Sequence, residues 1–335
     1  MSVVTKSDRM MHLLRRATRR FPAITVVLLT AILVLVAFLH RGIEVTELDV
    51  DDGGIWVAKG ADLSLGHLNY DALTFDGFVS TPSAQVALGQ DGRTVTIGDE
   101  TTHSVASVDV AAMKLGGAST VPEGSRVVQG ASTIAVLDSL AGYLWVGEAN
   151  RPDAIKYEDT SAIADGLAGG IVTVSTGGTV FAYAPQYATL TTVTRAGSTW
   201  STTKATLSGM SVGDDLSITA VGDKPVIYDA TTNTLVLPGG RTRALDADGV
   251  APGAVLQMPG PASSSVLLAT PDSLVSVPLN GSAPTVTPAQ EGTSISGTPA
   301  PPAFHQGCAY GAWSSSGAAL RQCESGLTRY TSVER

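Results

Sequence analysis

The feature that most constrains the fold is an internal repeat that starts after residue 53 and occurs seven times. Each unit reads as a short apolar strand, a turn rich in Gly, Asp and Ser, a second strand, another polar turn and a third strand. The first apolar strand residues of the units are Ile55, Val86, Val127, Ile171, Ile218, Val266 and Ala309. Their mean spacing is about 42 residues, within the range of a four-stranded β-propeller blade.

The turns and strands of these units have the chemistry of β-hairpins. Pairs such as Asp91-Gly92 and Gly177-Gly178 supply the positive φ that tight turns need, and the strands are rich in Val, Ile, Leu, Tyr and Thr. An immunoglobulin-like sandwich needs about 100 residues per domain, which a unit of this length cannot provide. We therefore predict that residues 41–335 form an all-β domain, a single β-propeller of about seven blades.

Two details of the ring remain open at this point. The first spacing, from Ile55 to Val86, is only 31 residues, so six or eight blades are alternatives. The segment Ile43–Asp49 (IEVTELD) precedes the first unit and reads as one more strand. We predict that this strand pairs with the last blade and closes the ring, because an open array would leave two free edges for aggregation.

The only two cysteines bracket a predicted hairpin in the last unit. If Ser315-Ser316 forms the tip, Cys308 and Cys323 lie seven residues from it on either side and face each other directly. Opposed residues of an antiparallel pair are close enough for a disulfide. We predict a structural disulfide, in preference to a redox or metal role, because the sequence has no CxxC motif and His305 is the only nearby histidine.

The N-terminal region predicts a membrane anchor. Phe21–Leu39 contains nineteen residues without a charge, enough for about 28 Å of helix, so we predict a transmembrane helix over residues 21–40 rather than a buried core helix. Residues 1–20 carry six basic side chains and one acidic one, which predicts a cytoplasmic tail and an extracellular location for residues 41–335. A cleaved signal peptide is the alternative, but the run is longer than a usual signal-peptide core.

Charge and cysteine content narrow the function classes. The chain carries a formal net charge of −9, and removing the basic tail leaves 15 basic and 29 acidic residues after position 40, a net charge of −14. So acidic a domain is a poor candidate for sequence-independent nucleic-acid binding, and it should be repelled by anionic polymers unless cations bridge them. Two cysteines also exclude a disulfide-rich scaffold or a four-cysteine zinc site.

Several short motifs resemble functional sites but are incomplete. Gly209–Gly213 matches G-x-S-x-G, yet it precedes another strand instead of joining a strand to a helix. The ectodomain histidines have no zinc-site spacing; they are His67, His103 and His305. Two acidic runs resemble parts of a calcium loop without its full ligand set; they are Asp49, Asp51 and Asp52, and Asp246 with Asp248. We therefore predict no catalytic residue, no cofactor and no metal site.

Three tryptophans fall on predicted strands. Trp56, Trp145 and Trp313 belong to units one, three and seven. Core packing between blades is the predicted role. The alternative is that they are binding aromatics, an exposed platform for a sugar or a protein.

Some of these features together resemble a known family. They are the basic tail with its single anchor, the segment LDVDDGGIWVAKG at 48–60, the strand-turn units and the cysteine hairpin at 307–323. They are similar to the N-terminal region of large actinobacterial cell-surface proteins that carry fibronectin type III or immunoglobulin-like repeats. The resemblance covers almost the whole chain and implies a propeller-like region followed by tandem fibronectin-type domains. Because this sequence ends at Arg335, we expect functions of such repeats to be absent, and the resemblance supplies no catalytic residue.

The predicted function is that of a membrane-anchored extracellular binding or scaffolding module at the bacterial cell envelope. Its partners would be the membrane, through one helix, and an envelope protein or a wall polysaccharide; nucleic acid is not among them. The alternative is a propeller-type carbohydrate-active enzyme, a glycan hydrolase or lyase with its site on the central channel. Such an enzyme would need carboxylates or histidines from several blades to converge there.

Overall fold

The computed structural model describes residues 54–69, 72–207, 215–290 and 297–331. Within these ranges the chain forms 26 β-strands arranged in seven antiparallel sheets, one for each blade. The predicted seven-bladed all-β propeller is therefore confirmed.

The first four blades have three or four strands each. Blade 1 contains β1 (Ile55–Lys59), β2 (Ser64–Asn69) and β3 (Thr74–Ser80); blade 2 contains β4 (Val86–Asp91), β5 (Thr94–Asp99), β6 (Ser104–Asp109) and β7 (Lys114–Thr120). Blade 3 contains β8 (Ser125–Gly130), β9 (Thr133–Asp138) and β10 (Tyr143–Glu148); blade 4 contains β11 (Ile171–Val174), β12 (Val180–Ala184), β13 (Thr189–Ala196) and β14 (Thr199–Thr206).

The remaining three blades have four strands each. Blade 5 contains β15 (Leu216–Val221), β16 (Lys224–Asp229), β17 (Thr234–Leu237) and β18 (Arg241–Ala244). Blade 6 contains β19 (Val255–Leu256), β20 (Ser265–Ala269), β21 (Ser273–Pro278) and β22 (Thr285–Pro288); blade 7 contains β23 (Ala303–His305), β24 (Cys308–Trp313), β25 (Ala318–Cys323) and β26 (Gly326–Thr331). Short 3-10 helices are found at Gly60–Asp62, Pro152–Ala154, Asp159–Ser161, Pro185–Tyr187 and Asp246–Asp248.

Local turn chemistry explains why these segments form hairpins. Gly92 follows β4 with φ +52° and Gly222 follows β15 with φ +57°, so each two-residue turn uses a conformation that glycine adopts without a Cβ penalty. In the four-stranded blades the order along the chain is the order across the sheet. The first strand is innermost: β4, β8, β11, β15 and β19 contact one another in turn around the axis.

Blade 1 explains the short first spacing of the repeat. Leu63 before β2 and His103 before β6 share a left-handed φ, and their carbonyls accept equivalent hydrogen bonds from Thr81 and Val121, each at 2.8 Å. The strand β1 therefore takes the second position of its blade, equivalent to β5, whereas Val86 lies on a first strand. The second strands of successive blades start 39 to 47 residues apart, so the true repeat is more regular than the first apolar residues indicate.

The core lies between consecutive blades, whose facing surfaces are apolar. Within the described ranges, six buried clusters join blade 1 to blade 2 and so on to blade 7; for example, Leu137 of blade 3 packs in one cluster with Val174 of blade 4. No such cluster joins blades 7 and 1 among the described residues. On β3 of blade 1, Phe75 and Phe78 are 42% and 54% exposed.

The described part of the chain contains no helix that is long and apolar enough to cross a membrane. The predicted tail (1–20), the transmembrane helix (21–40) and the predicted closing strand Ile43–Asp49 lie outside the described residues.

Candidate functional site

The cysteine prediction is confirmed. Cys308 on β24 is the direct register partner of Cys323 on β25, and the two form a disulfide with their Cα atoms 4.2 Å apart. Because β24 and β25 are the central strands of blade 7, the bond ties the last blade together and is a structural element.

The three tryptophans chosen from the sequence are buried. Trp56, Trp145 and Trp313 are 4%, 2% and 1% exposed. The Trp313 indole N–H donates to the carbonyl of Thr270 in blade 6 at 2.7 Å, and the Trp145 indole N–H donates to the carbonyl of Glu158 at 3.0 Å. Such placement is core packing. The alternative of an exposed binding platform does not fit these side chains, because a stacked ligand needs an open ring face.

The three histidines in the described ranges belong to three different blades. His67 on β2 is buried, and its Nδ1 lies 2.5 Å from Oδ1 of Asp76, the extra residue of a β-bulge in β3. The hydrogen bond from His67 holds the pKa of the Asp76 carboxyl below its usual range. His103 occupies a turn and His305 ends β23. None of the described histidines lines the central cavity.

The acidic motifs that resembled calcium loops fall into two groups. Asp248 accepts two hydrogen bonds from the guanidinium of Arg243, at 2.6 and 2.8 Å, and Asp246 accepts one from Asn233. These carboxylates therefore stabilise a turn. Within the described ranges, no group of three or more His, Cys, Asp or Glu side chains could hold a metal ion. The acidic run from Asp49 to Asp52 and the motif Gly209–Gly213 lie outside the described residues.

An aspartate recurs at the end of the second strand of several blades, and the sequence analysis did not identify it. Asp99, Asp138 and Asp229 each accept hydrogen bonds from the backbone N–H groups two and three residues further on, an Asx turn that starts the next hairpin. At Asp99 burial opposes ionisation, but the hydrogen bonds from Thr102, Ser83 and Thr101 outweigh it and lower the pKa. The repeated Asp after an apolar strand was the available signal, and it marks structure rather than a site.

The inner strands of blades 2 to 6 surround a central cavity of about 760 Å³. Its walls are largely aliphatic side chains, glycine and proline. Three glutamine amides also contribute, from Gln90 on β4, Gln129 on β8 and Gln257 just after β19, and the first two bind the preceding blade. Gln90 accepts from the N–H of Trp56 and donates to the carbonyl of Gly54, both at 2.9 Å, while Gln129 donates to the carbonyl of Thr94 at 2.8 Å.

Charged side chains in the central cavity come from three blades. Asp91 on β4, Arg126 on β8 and Asp215 just before β15 line it. One oxygen of Asp91 accepts from the N–H of Ala131 at 2.7 Å, which fixes the carboxylate beside blade 3. The arrangement offers a rigid, mostly apolar space with a few charges at separate points of its wall.

A second cavity, which we call the rim cleft, lies at the outer part of blades 3 and 4. It has a volume of about 550 Å³ and is lined by the end of β10, by the segment 151–161 and by the β13–β14 hairpin. Three basic side chains and one carboxylate line it: Arg151, Lys156, Arg195 and Glu148. The fourth tryptophan, Trp200, forms part of the wall and is half-buried. Sequence reasoning passed over Trp200 and all four of these charged residues.

Comparison with known proteins supports the fold and nothing narrower. No family model and no curated protein matches this chain. AztD from Citrobacter koseri, in its apo form, is 10% identical with a TM-score of 0.58, and the match covers 84% of each chain. Streptogramin B lyase is 12% identical with a TM-score of 0.55, and the match covers 84% of this chain and 91% of that one.

A third similar structure is the dihydro-heme d1 dehydrogenase NirN, 13% identical with a TM-score of 0.55. The match covers 82% of this chain but only 61% of NirN, less than two thirds of that protein. Two of these three neighbours are named as enzymes of unrelated reactions, so the shared fold does not select an activity. The fold and cavities define the class of protein, a seven-bladed β-propeller with a central cavity.

Proposed function

We propose that this protein is a membrane-anchored binding or scaffolding module at the bacterial cell envelope, with an envelope protein or a wall polysaccharide as its ligand. The central cavity is the observation that carries the proposal. At about 760 Å³ it falls within the size range of ligand pockets, roughly 300–1,000 Å³. The amides of Gln90 and Gln129 brace its wall between blades, so the space is formed before a ligand arrives.

The location is supported by the sequence. The uncharged run Phe21–Leu39 and the six basic residues before it are those of a single-pass anchor with a cytoplasmic N-terminus. The resemblance to actinobacterial cell-surface proteins agrees with this location. The disulfide Cys308–Cys323 is also of a kind that persists in oxidising compartments outside the cytosol.

Obstruction of the cavity tests the binding proposal. Ser217 on β15 lines the cavity and is half-buried, so Ser217→Trp would fill part of the space while Ser217→Ala serves as the matched control. The full chain in detergent is mixed with envelope material from the native host, and the captured protein and polysaccharide are measured. We expect the wild type and Ser217→Ala to capture the same component and Ser217→Trp to lose it. Equal capture by a correctly folded Ser217→Trp variant would refute the cavity as the binding site.

The anchor is tested separately from the cavity. Leu29→Arg places a charge near the middle of the uncharged run, where it opposes membrane insertion by about 3 kcal/mol. We expect the wild-type chain to stay in the membrane after carbonate extraction, with residues 41–335 open to external protease, and the variant to be released in part. Extraction of the wild type by carbonate would contradict the anchor.

A glycan hydrolase or lyase is the second candidate, because two carboxylates and an arginine from different blades line the cavity. Asp91→Asn and Asp215→Asn each remove one carboxylate and keep its shape. The binding proposal expects no release of new reducing ends from wall polysaccharide by any of the three proteins. Turnover by the wild type that either variant abolishes would instead establish the enzyme.

A further inference from the structure

We propose that the rim cleft between blades 3 and 4 binds the anionic group, a phosphate or a carboxylate, of a charged glycan. The inference rests on the proposed function and narrows it, because it names the chemistry of the polysaccharide and a second place where it binds. The juxtaposition that carries it is a fixed arginine, two further cations and an aromatic wall around one space of about 550 Å³.

Arg195 is held in place by its neighbours. Its guanidinium lies over the Trp200 ring, 5.5 Å from the centroid. Its Nε donates to the carbonyl of Gly197 at 2.9 Å, and its Nη2 donates to Glu148 at 2.6 Å. Among the described residues, Nη1 has no acceptor. A guanidinium fixed in this way loses little side-chain entropy when it binds an oxyanion, and the N–H groups of Nη1 remain to donate to a carboxylate or phosphate oxygen.

Arg151 and Lys156 add charge that the protein itself does not neutralise. Both line the cleft and are exposed, and within the described ranges neither side chain has a hydrogen bond or an ion pair. Glu148, the carboxylate in the lining, is already engaged with Arg195. The lining therefore has three positive charges against one negative charge, a local net charge of +2 in a domain whose net charge is −14.

The positive charge of the cleft lining, in a domain that is acidic overall, favours a ligand with a few spaced anionic groups. Asp153, Glu158 and Asp159 belong to the segment 151–161 but do not line the cleft. Charges more than about 8 Å away are largely screened at physiological salt, so the acids on other blades act only weakly on an anion inside the cleft. A nucleic acid carries a charge on every nucleotide and needs a long basic track, which an acidic surface does not offer. A glycan with spaced anionic groups can place one group in the cleft and keep neutral sugar on the rest of the surface. The indole of Trp200 supplies an apolar wall for the sugar ring.

The experiment titrates the full chain in detergent with defined oligosaccharides by calorimetry. The probes are a short hyaluronan oligosaccharide, which carries a carboxylate on every second sugar, a maltooligosaccharide with a single 6-phosphate, and the same maltooligosaccharide without the phosphate. We expect one or both charged probes to bind and the neutral probe to give no signal. Comparison of the two charged probes identifies the anionic group. Binding of neither charged probe would overturn the proposal.

Three variants separate an electrostatic site from a structural one. Lys156→Glu is expected to weaken binding of the charged probe at least tenfold, while Lys224→Glu, an exposed cation on blade 5, should change affinity less than twofold. Glu148→Gln keeps an acceptor for Arg195 but removes the negative charge, so it should strengthen binding several-fold. Unchanged affinity in Lys156→Glu, or weaker binding in Glu148→Gln, would refute the site. Equal affinity for a single-stranded oligonucleotide of the same charge would refute glycan recognition.

Failure of this inference is distinguishable from failure of the proposed function. If Ser217→Trp abolishes capture of envelope material while Lys156→Glu leaves it unchanged and no charged probe binds, the rim cleft is refuted and the cavity proposal stands. If the wild type captures nothing but binds the charged probe through Lys156, the cavity proposal is refuted and the rim cleft stands.

Discussion

Removal of the disulfide in blade 7 is the sharpest test of how the last blade is stabilised. The bond joins residues 15 positions apart, and closing a loop of that length lowers the entropy of the unfolded chain by an amount worth about 3 kcal/mol at 25 °C. The register β24–β25 holds the two Cα atoms together without the bond, so the folded state should survive its loss. We therefore expect the Cys308→Ala/Cys323→Ala double variant to unfold about 6 °C below the wild type, at roughly 2 °C per kcal/mol for a domain of this size.

The assay is thermal unfolding of the full chain followed by far-ultraviolet circular dichroism, with and without reductant. Reductant should lower the wild-type midpoint to that of the double variant and leave the variant unchanged. The loop-entropy argument would be refuted if reductant left the wild-type midpoint unchanged and the double variant unfolded within 1 °C of the wild type. A shift of that size corresponds to a disulfide contribution of about half a kcal/mol or less.

Two further predictions concern a glycine and a hydrogen-bonded carboxylate. Gly142→Ala should destabilise the protein by about 3 kcal/mol, because Gly142 has φ +82° and a new Cβ would lie 2.5 Å from the backbone nitrogen of Ala168. Gly239→Ala has the same φ but open space, so about 1 kcal/mol is expected from thermal unfolding. The hydrogen bond from His67 lowers the pKa of Asp76 in the folded protein, so the ionised carboxylate stabilises the fold at pH values above the ordinary carboxyl pKa of about 4. This stabilisation is lost as the pH falls through the lowered pKa of the folded state. The Asp76→Asn variant should lack this pH-dependent stabilisation.

Each of these predictions has a clear opposing result. Equal destabilisation by Gly142→Ala and Gly239→Ala would mean that the contact with Ala168 adds nothing to the backbone strain. For Asp76, the unfolding midpoint is measured from neutral pH down to about pH 2. Parallel curves for the wild type and Asp76→Asn over that range would show that the hydrogen bond from His67 carries no stability.

The fold could be predicted largely because the units repeat. Strand composition, glycine turns and a spacing near 42 residues indicate a propeller, and the positions of Cys308 and Cys323 fix the register of the last hairpin. The strand order within blade 1 could not be read in the same way. Ile55 looks like a first strand, and only the left-handed turn at Leu63, shared with His103, identifies β1 as a second strand.

The residues of the rim cleft could not be grouped from the sequence, because they come together only in the folded ring. Arg195 and Glu148 are 47 residues apart and meet because neighbouring blades bring the ends of β10 and β13 together. The strand TWSTTKAT alternates weakly, so the half-buried position of Trp200 has no clear signature, whereas Trp313 sits in an apolar strand and is core. Polar contacts between blades depend on register across the ring, which hydrophobic periodicity does not encode.

The most direct test of the central claim is a site-specific photo-crosslink from the cavity. The full chain, carrying p-benzoylphenylalanine in place of Ser217, is expressed in its native host and irradiated in intact cells. The same photoreactive residue in place of Lys224, which is exposed on blade 5, provides the control. Binding in the central cavity predicts a light-dependent adduct with one envelope protein or with wall polysaccharide from position 217 and not from position 224. No adduct from position 217, or the same adducts from both positions, would contradict it.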